Sequence, residues 1–230
     1  MKAVILAAGI GSRLGRPYPK ALCKLPDGQT IIARQIKLLQ SVGIYEIIVV
    51  VGFKMSLIME HVPSVLFKYN PLYYVTNTSK SLLAGLENIN DDVIWMNGDV
   101  LSDNEAIRLC IKISGNVIAV DTKKCGAEEV KYSLNTKGYI KDISKTVKKG
   151  LGEAVGINKI SKKDIVRFRG YLNDCAPGDY FERGIELAIK EGIAFKPVDI
   201  SDCKCIEIDS EQDFNSALNI FFDEKKHLSS

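Results

Sequence analysis

Six consecutive apolar residues, Ala3 to Ala8, run into a glycine-rich loop, Gly9 to Lys20, and then into a segment of helical periodicity. A short, nearly unbroken apolar run is the pattern of a strand covered on both faces, which is the habit of parallel sheets. The helical segment carries Ile31, Ile32, Ile36, Leu39 and Val42 and reaches a stop at Gly43. Strand, loop and helix in that order constrain the chain more than any other feature: they start a β-α unit.

The alternation continues. Glu46 to Val51 reads as a second buried strand, Met55 to His61 as a weak helix, and Leu66 to Tyr69 as a short strand. Ser79 to Ile89 is helical by period, Val93 to Met96 is again strand-like, and Asn104 to Ile113 carries Ile107 and Ile111 on one helical face. Val117 to Val120 follows as a strand. Buried strands alternating with amphipathic helices predict an α/β domain with a mostly parallel sheet. The texture then changes. Glu129 to Leu134 and Tyr139 to Ile143 alternate apolar with polar around Asn135-Thr136-Lys137-Gly138, the signature of a hairpin insertion. Helices are expected over Lys162 to Phe168 and Phe181 to Lys190, with a strand at Ala194 to Val198. In the last helix Phe214, Ala217, Leu218 and Phe221 keep i, i+3, i+4, i+7 spacing. Residues 1–230 read as one domain, without repeats or low-complexity linkers.

Composition removes several classes of function. The 230 residues are 46% hydrophobic and 26% charged, an ordinary globular balance. No apolar stretch is long enough to span a bilayer, and the apolar start is too short for a signal peptide, so no targeting segment is expected. Lys+Arg 31 against Asp+Glu 28 gives a net charge of +3, too balanced for bulk binding to nucleic acid or anionic membrane. The six cysteines form no Cys-x-x-Cys pair, and His61 and His227 lack metal-ligand spacing. A reducing, cytoplasmic setting is the expectation.

The loop Leu6-Ala7-Ala8-Gly9-Ile10-Gly11-Ser12-Arg13-Leu14, continuing to Pro19-Lys20, points to phosphate chemistry. Gly9 and Gly11 let backbone approach a ligand without Cβ interference, and successive loop amides make an anion-binding concavity. Arg13 offers a planar fork for phosphate oxygens, and Lys20 adds a point charge. The spacing is not that of a P-loop, and Leu14 stands where a dinucleotide fingerprint needs its third glycine.

The string L-A-A-G-x-G-S-R-L followed by P-K resembles the signature of the nucleotidyltransferase superfamily that makes NDP-sugars and CDP-alcohols. The resemblance meets every key position of that signature and extends over essentially the full chain. It implies a Rossmann-like sheet whose loop wraps an NTP triphosphate, with Mg²⁺ held by two aspartates. On that reading Ala8, Gly9, Gly11, Ser12 and Arg13 contact the nucleotide, and Lys20, with Arg13 and Asp99, serves catalysis at the α-phosphate.

Asp99 follows the strand Val93 to Met96 in Asn97-Gly98-Asp99, at the carboxyl edge of the sheet, where a hard oxygen ligand can hold Mg²⁺ between phosphates. The segment resembles the family's Gly-Asp metal motif, and Trp95 beside it suits the core. Glu207-Ile208-Asp209-Ser210 resembles the segment whose aspartate completes the metal site, which would be Asp209. Ser210 and Asp213 also form a capping box, so an acidic residue here suits the helix as well.

Segments containing Glu128, Glu129 and Lys131, and Gly152-Glu153 to Ile157, resemble the phosphocholine cytidylyltransferase-like branch. There Lys131 would help bind a phosphate, and a glutamate, Glu129 or Glu153, would line the alcohol pocket. Glu129, Lys131 and Ser133 equally suit a solvated hairpin face. Asn77 and Ser81 resemble that branch's base-reading stretch, and Ser81 equally suits a helix N-terminus. Tyr180 and Glu182 offer an aromatic face and a carboxylate to an amine or quaternary ammonium. The expected partners are therefore an NTP, CTP foremost, and a small phosphorylated alcohol or phosphonate. A homodimer is one assembly open to the chain, and neither nucleic acid nor membrane is expected. A sugar-1-phosphate nucleotidyltransferase is the alternative among enzymes, and a catalytically silent nucleotide-binding regulator the alternative outside them.

Overall fold

The computed structural model describes residues 1–11, 15–123, 125–126 and 129–222. The first half runs β1 (Lys2–Ala7), a 3-10 turn (Lys20–Leu22), α1 (Ile31–Ser41), β2 (Ile47–Val51), α2 (Met55–His61), β3 (Leu66–Tyr69), α3 (Thr78–Leu86) and β4 (Val93–Asn97). It continues through β5 (Val100–Ser102), α4 (Asn104–Lys112), β6 (Asn116–Asp121), β7 (Lys131–Leu134), β8 (Ile140–Ser144) and β9 (Glu153–Ile160). The last elements are α5 (Ile165–Asp174), α6 (Phe181–Lys190), β10 (Phe195–Asp199), β11 (Cys205–Glu207) and α7 (Glu211–Phe222).

The main sheet has the order β10-β6-β9-β4-β1-β2-β3. β1 pairs in parallel with β2 and β4, as do β2 with β3 and β6 with β10. The α/β sheet flanked by helices is thus as the sequence implies. Its mixed character comes from β9, which lies antiparallel between β4 and β6. The sequence reading contains no strand there, for a physical reason. β9 is covered on both faces yet carries Gly156, Asn158 and Lys159, and the last two are 1% and 3% exposed. The buried Lys159 ammonium donates to the carbonyls of Ile113 and Ile111 at the carboxyl end of α4, where a helix dipole favours a cation.

The hairpin β7–β8 forms around Asn135, whose side-chain oxygen accepts from the amides of Lys137 and Tyr139 at 2.9 and 3.1 Å, with Gly138 at φ 78°. It is not detached from the sheet: Lys131 of β7 pairs with Glu153 of β9. Helix α5 starts later than its apolar pattern suggests and runs on to Asp174.

Successive side chains of each strand face opposite ways, so the sheet divides the core in two. Ala3, Ile5 and Ala7 pack with Ile32, Ile36 and Leu39 of α1, Ile58 of α2 and Ile107 of α4. Val4 and Leu6 pack with Leu82 and Leu86 of α3, with α5 and α6, and with Tyr132 and Ile143 of the hairpin. Trp95 is fully buried as expected, stacked on Phe168 at 5.5 Å and edge-on to Phe181 at 5.8 Å; Phe168 also meets Phe195 at 6.2 Å. A smaller cluster joins Cys23, Leu25 and Ile31 to Leu101, Ile208 and Ala217 of α7.

Because Phe168 is fully buried and joins Trp95 of β4 to Phe195 of β10, Phe168→Ala should lower stability by about 3–5 kcal/mol. Urea titration followed by the fluorescence of Trp95, the single tryptophan, should show an earlier midpoint at unchanged slope.

Candidate active site

The cleft lies where open α/β sheets gather ligands, at the carboxyl ends of β1 and β4. Its floor is set by close backbone approach. The amide of Gly98 donates to the Leu6 carbonyl at 2.9 Å, and a Cβ at position 98 would stand 2.7 Å from that oxygen. Gly11 has φ 66°, and a Cβ there would meet the Lys20 Cβ at 3.1 Å. Both glycines are therefore required by space or backbone, and each brings a charged residue to the cleft: Gly98 precedes Asp99, and Gly11 lets Lys20 pass.

Asp209 comes from far along the chain. β11 pairs antiparallel with β5, with Glu207 opposite Val100, and the Ile208 amide donates to the Asp99 carbonyl at 3.0 Å. This two-stranded ladder, absent from the sequence reading because each strand has only three residues, lays Asp209 beside Asp99. The Lys20 ammonium then donates to Asp99 Oδ2 at 2.9 Å and to Asp209 Oδ1 at 2.7 Å. Burial works against the lysine charge, but the two carboxylates outweigh it and hold its pKa above the ordinary lysine value. The predicted capping box is present: Asp213 accepts from the Ser210 amide at 2.8 Å and hydroxyl at 2.7 Å, and its own amide donates to that hydroxyl at 3.2 Å. Asp209 therefore sits at the helix entry without being spent as the cap.

A second clasp ties the loop to the same helix. Arg16 donates to Glu211 at 2.7 Å and to the Tyr18 hydroxyl at 3.2 Å, and its guanidinium lies 5.4 Å from the Phe214 ring centre. Lys54 donates to the Pro17 carbonyl from the other side.

The cleft measures about 760 Å³, within the range of small-molecule sites. Of the residues singled out by sequence, Gly9, Gly11, Lys20, Asn77, Asp99, Glu129, Glu153, Tyr180, Glu182 and Asp209 all line it. Three others are placed elsewhere. Ala8 is buried, with its carbonyl accepting from the Phe53 amide at 3.0 Å. Ser81 is buried, and its hydroxyl accepts from Asn70 at 3.0 Å. Lys131 donates to the carbonyls of Glu129 and Lys145 at 3.4 and 3.1 Å, bracing the foot of the hairpin. Ser12, Arg13 and Glu128 lie outside the described residues. Asn77 lines the cleft while capping α3, its side chain accepting from the Thr78 amide at 2.8 Å.

The structure also adds residues that sequence reasoning missed. Glu207 meets Asn97, whose amide donates to it at 3.2 Å. Burial, reinforced by Asp99, Asp209 and Glu182, pushes the Glu207 carboxyl well above the usual range. Its signal was present: Glu207 stands two residues before Asp209 in the same Glu-Ile-Asp segment. Lys123 pairs with Glu153 at 2.8 Å. Lys145 places its ammonium 5.4 Å from the Tyr180 ring centre. Burial pushes Glu182 up to about 7, opposed by its own backbone amide and by the Lys145 charge.

Whether this donor set suits a divalent cation can be judged from its own atoms. Among the described residues no group of three or more His, Cys, Asp or Glu side chains stands ready to hold a metal. Mg²⁺, however, is commonly held by one or two carboxylates and completed by substrate phosphates. Asp99 and Asp209 supply hard oxygens, they already converge on one cation, and Asp99 Oδ1 is buried without a hydrogen-bond partner. The residues fit the ion.

The sequence model of the MobA-like NTP transferase domain matches residues 3–147. The chain belongs to this family. Similar curated proteins include the CMP-5'-(3-aminopropyl)phosphonate synthase of Streptomyces rubellomurinus, 34% identical over 110 residues, a match covering 44% of this chain and 17% of that protein. Another is the UTP–glucose-1-phosphate uridylyltransferase AglF of Haloferax volcanii, 32% identical over 108 residues, 43% of each. The chain thus spans less than half the length of these relatives. Among solved structures it resembles the CTP:phosphocholine cytidylyltransferase of Streptococcus pneumoniae, with TM-score 0.77, 22% identity and coverage of 95% of this chain and 98% of that one. The inositol-1-phosphate CTP transferase of T. maritima gives TM-score 0.79 at 18% identity, covering 94% and 92%. These structural likenesses establish the nucleotidyltransferase fold. Among the described residues no helix is long and apolar enough to cross a membrane.

Proposed function

We propose that this chain, residues 1–230 acting as one domain, transfers a nucleotidyl group, CMP from CTP, to the phosphate of a small phosphorylated alcohol or phosphonate. The observation that carries the reading is Lys20 shared between Asp99 and Asp209 at the end of a glycine loop, in a cleft that continues to Tyr180 and Glu182. The first end suits a triphosphate, and the second suits a small polar head group.

In the reaction an acceptor phosphate oxygen bonds to the α-phosphorus while the bond from that phosphorus to the β-phosphate bridging oxygen breaks and pyrophosphate leaves. A phosphate monoester has its second pKa near about 6, so the nucleophile is already anionic at neutral pH and no side chain need accept a proton. The work left to the protein is positioning and charge compensation. The Gly9–Gly11 backbone admits the phosphates, and Lys20 exchanges its carboxylate partners for phosphate oxygens. Asp99 and Asp209 would hold Mg²⁺, which when bound supplies positive charge against those oxygens.

Lys20→Ala should lower kcat by about 10²–10³-fold while changing the KM for CTP much less, because charge on the phosphates develops during transfer. Steady-state pyrophosphate release reads both constants, and an unchanged kcat would remove Lys20 from the chemistry. Asp99→Asn and Asp209→Asn should each weaken Mg²⁺-dependent binding of CTP in calorimetry while leaving the urea midpoint close to the parent's. If only Asp99→Asn weakens it, Asp209 serves the helix entry instead.

The preference for CTP rests on base polarity: a site that accepts from the cytosine amine leaves a buried group unpaired against uracil, at a cost of about 1–3 kcal/mol. The Asn77 carbonyl already accepts from the amides of Lys80 and Ser81, so the Gly9 side of the loop is the better source of that acceptor. Pyrophosphate release with the four NTPs at equal concentration, each against phosphocholine, 2-aminoethylphosphonate and hexose-1-phosphates, should favour CTP with the first two. A preference for UTP or GTP with a hexose-1-phosphate would instead assign the sugar-nucleotide reaction.

A further inference from the structure

A second hollow, of about 590 Å³, opens between α1 and α4 and shares no lining residue with the cleft. Three cations from two helices stand on its walls: Arg34 and Lys37 of α1 and Arg108 of α4. Lys37 and Arg108 are exposed, and among the described residues neither side chain has a hydrogen-bond or ion-pair partner. Two carboxylates lie opposite. Asp103 is committed to the fold, accepting from the Ala106 amide at 3.0 Å and the Lys204 amide at 2.9 Å, which leaves Glu105. The balance favours an anion.

Three residues of the same hollow also keep a buried polar atom that the fold does not satisfy. Ser102, which ends β5, is 3% exposed, and its hydroxyl has no hydrogen-bond partner. The Arg34 guanidinium is held in place, 5.2 and 5.4 Å from the ring centres of Phe221 and Phe222 and 3.7 Å from Asp27. Its Nε is nevertheless buried without an acceptor. Gln29 donates through Nε2 to Asp27 at 2.7 Å, and its Oε1 is buried without a donor. Buried polar groups are rarely left unpaired, so these three call for a ligand that brings acceptors and a donor.

We infer that the hollow between α1 and α4 binds a phosphate group with a hydroxyl to donate: hydrogenphosphate itself, or phosphate on a small polyol. The anionic oxygens accept from Ser102, Arg34 Nε, Lys37 and Arg108, and the hydroxyl donates to Gln29. Sulfate matches the charge and shape of hydrogenphosphate but has no hydroxyl to give. The wall is formed in advance: Gln35, next to Arg34, donates to the carbonyls of Asn97 and Val100 at 2.8 Å each and so fixes α1 against β5. This site stands apart from the transfer reaction proposed for the cleft. Ser102 is only three residues beyond Asp99, however, so its test must separate hollow from cleft.

Calorimetry on the full chain with inorganic phosphate, at an ionic strength fixed with chloride, tests the site. Glycerol 3-phosphate measured alongside separates esterified from free phosphate, the tighter binder naming the source. Sulfate should bind about two- to tenfold more weakly than inorganic phosphate. Ser102→Ala should weaken phosphate about tenfold, and the double variant Lys37→Gln/Arg108→Gln about two- to tenfold, whereas Lys20→Ala should leave this binding intact. Because nothing among the described residues uses the Ser102 hydroxyl, Ser102→Ala should keep or raise the urea midpoint while losing the ligand. An earlier midpoint would show the hydroxyl spent within the fold and would overturn the inference. So would no binding of either phosphate, sulfate binding as tightly, or indifference to both Ser102→Ala and the double variant. Loss of phosphate binding with Lys20→Ala would place the anion in the cleft and overturn it as well.

Discussion

The shared ammonium of Lys20 is the interaction on which the site depends. Two carboxylates 110 residues apart in sequence are brought together by the β5–β11 ladder, and without a cation between them they would repel at close range. The three side chains are 11%, 20% and 32% exposed, so water screens the triad only in part. That partial exposure would suit a site that exchanges its counter-ion, as the proposed reaction requires. A fully buried triad would resist opening, and a fully exposed one would impose little order on the loop.

The triad also explains why the loop needs its second clasp. If Lys20 turned from Asp99 and Asp209 toward a phosphate, as the proposed transfer requires, the loop would lose its tie to the C-terminal segment at that point. Arg16, bonded to Glu211 and lying over Phe214, keeps the loop docked on α7 independently of Lys20. Its contact is to the helix surface and not to the cleft floor, so ligand entry and loop docking do not compete for the same groups.

Much of this was legible in the sequence, and the gaps have definite causes. β1, β2 and β4 announce themselves because parallel strands covered on both faces leave unbroken apolar runs, and the loop declares itself through its glycines, of which Gly11 is demanded by its positive φ. β9 is just as central but hides behind its buried Asn158 and Lys159, and the reason Lys159 is tolerated lies in another element, the carbonyls at the end of α4. Ser81 illustrates the converse. Its position before an apolar helical run fits a ligand contact or a helix start, and only the Asn70 side chain, eleven residues back, shows where the hydroxyl is spent. Lys145 carries no local pattern, since its place over Tyr180 depends on how the hairpin folds against α6.

One electrostatic regularity connects the two ends of the cleft. Among the described lining residues seven carboxyl groups stand against three lysines, an odd balance for a site proposed to receive a polyanion. Each lysine is beside a carboxylate: Lys20 between Asp99 and Asp209, Lys123 on Glu153, and Lys145 acting on Glu182. Burial pushes Glu182 and Glu207 toward their neutral forms, and the carboxylates that remain would favour a triphosphate that arrives with cations. On the proposed reading, a cleft so lined would select a triphosphate less by being positive than by requiring it to enter with a counter-charge, as Lys20 already serves Asp99 and Asp209.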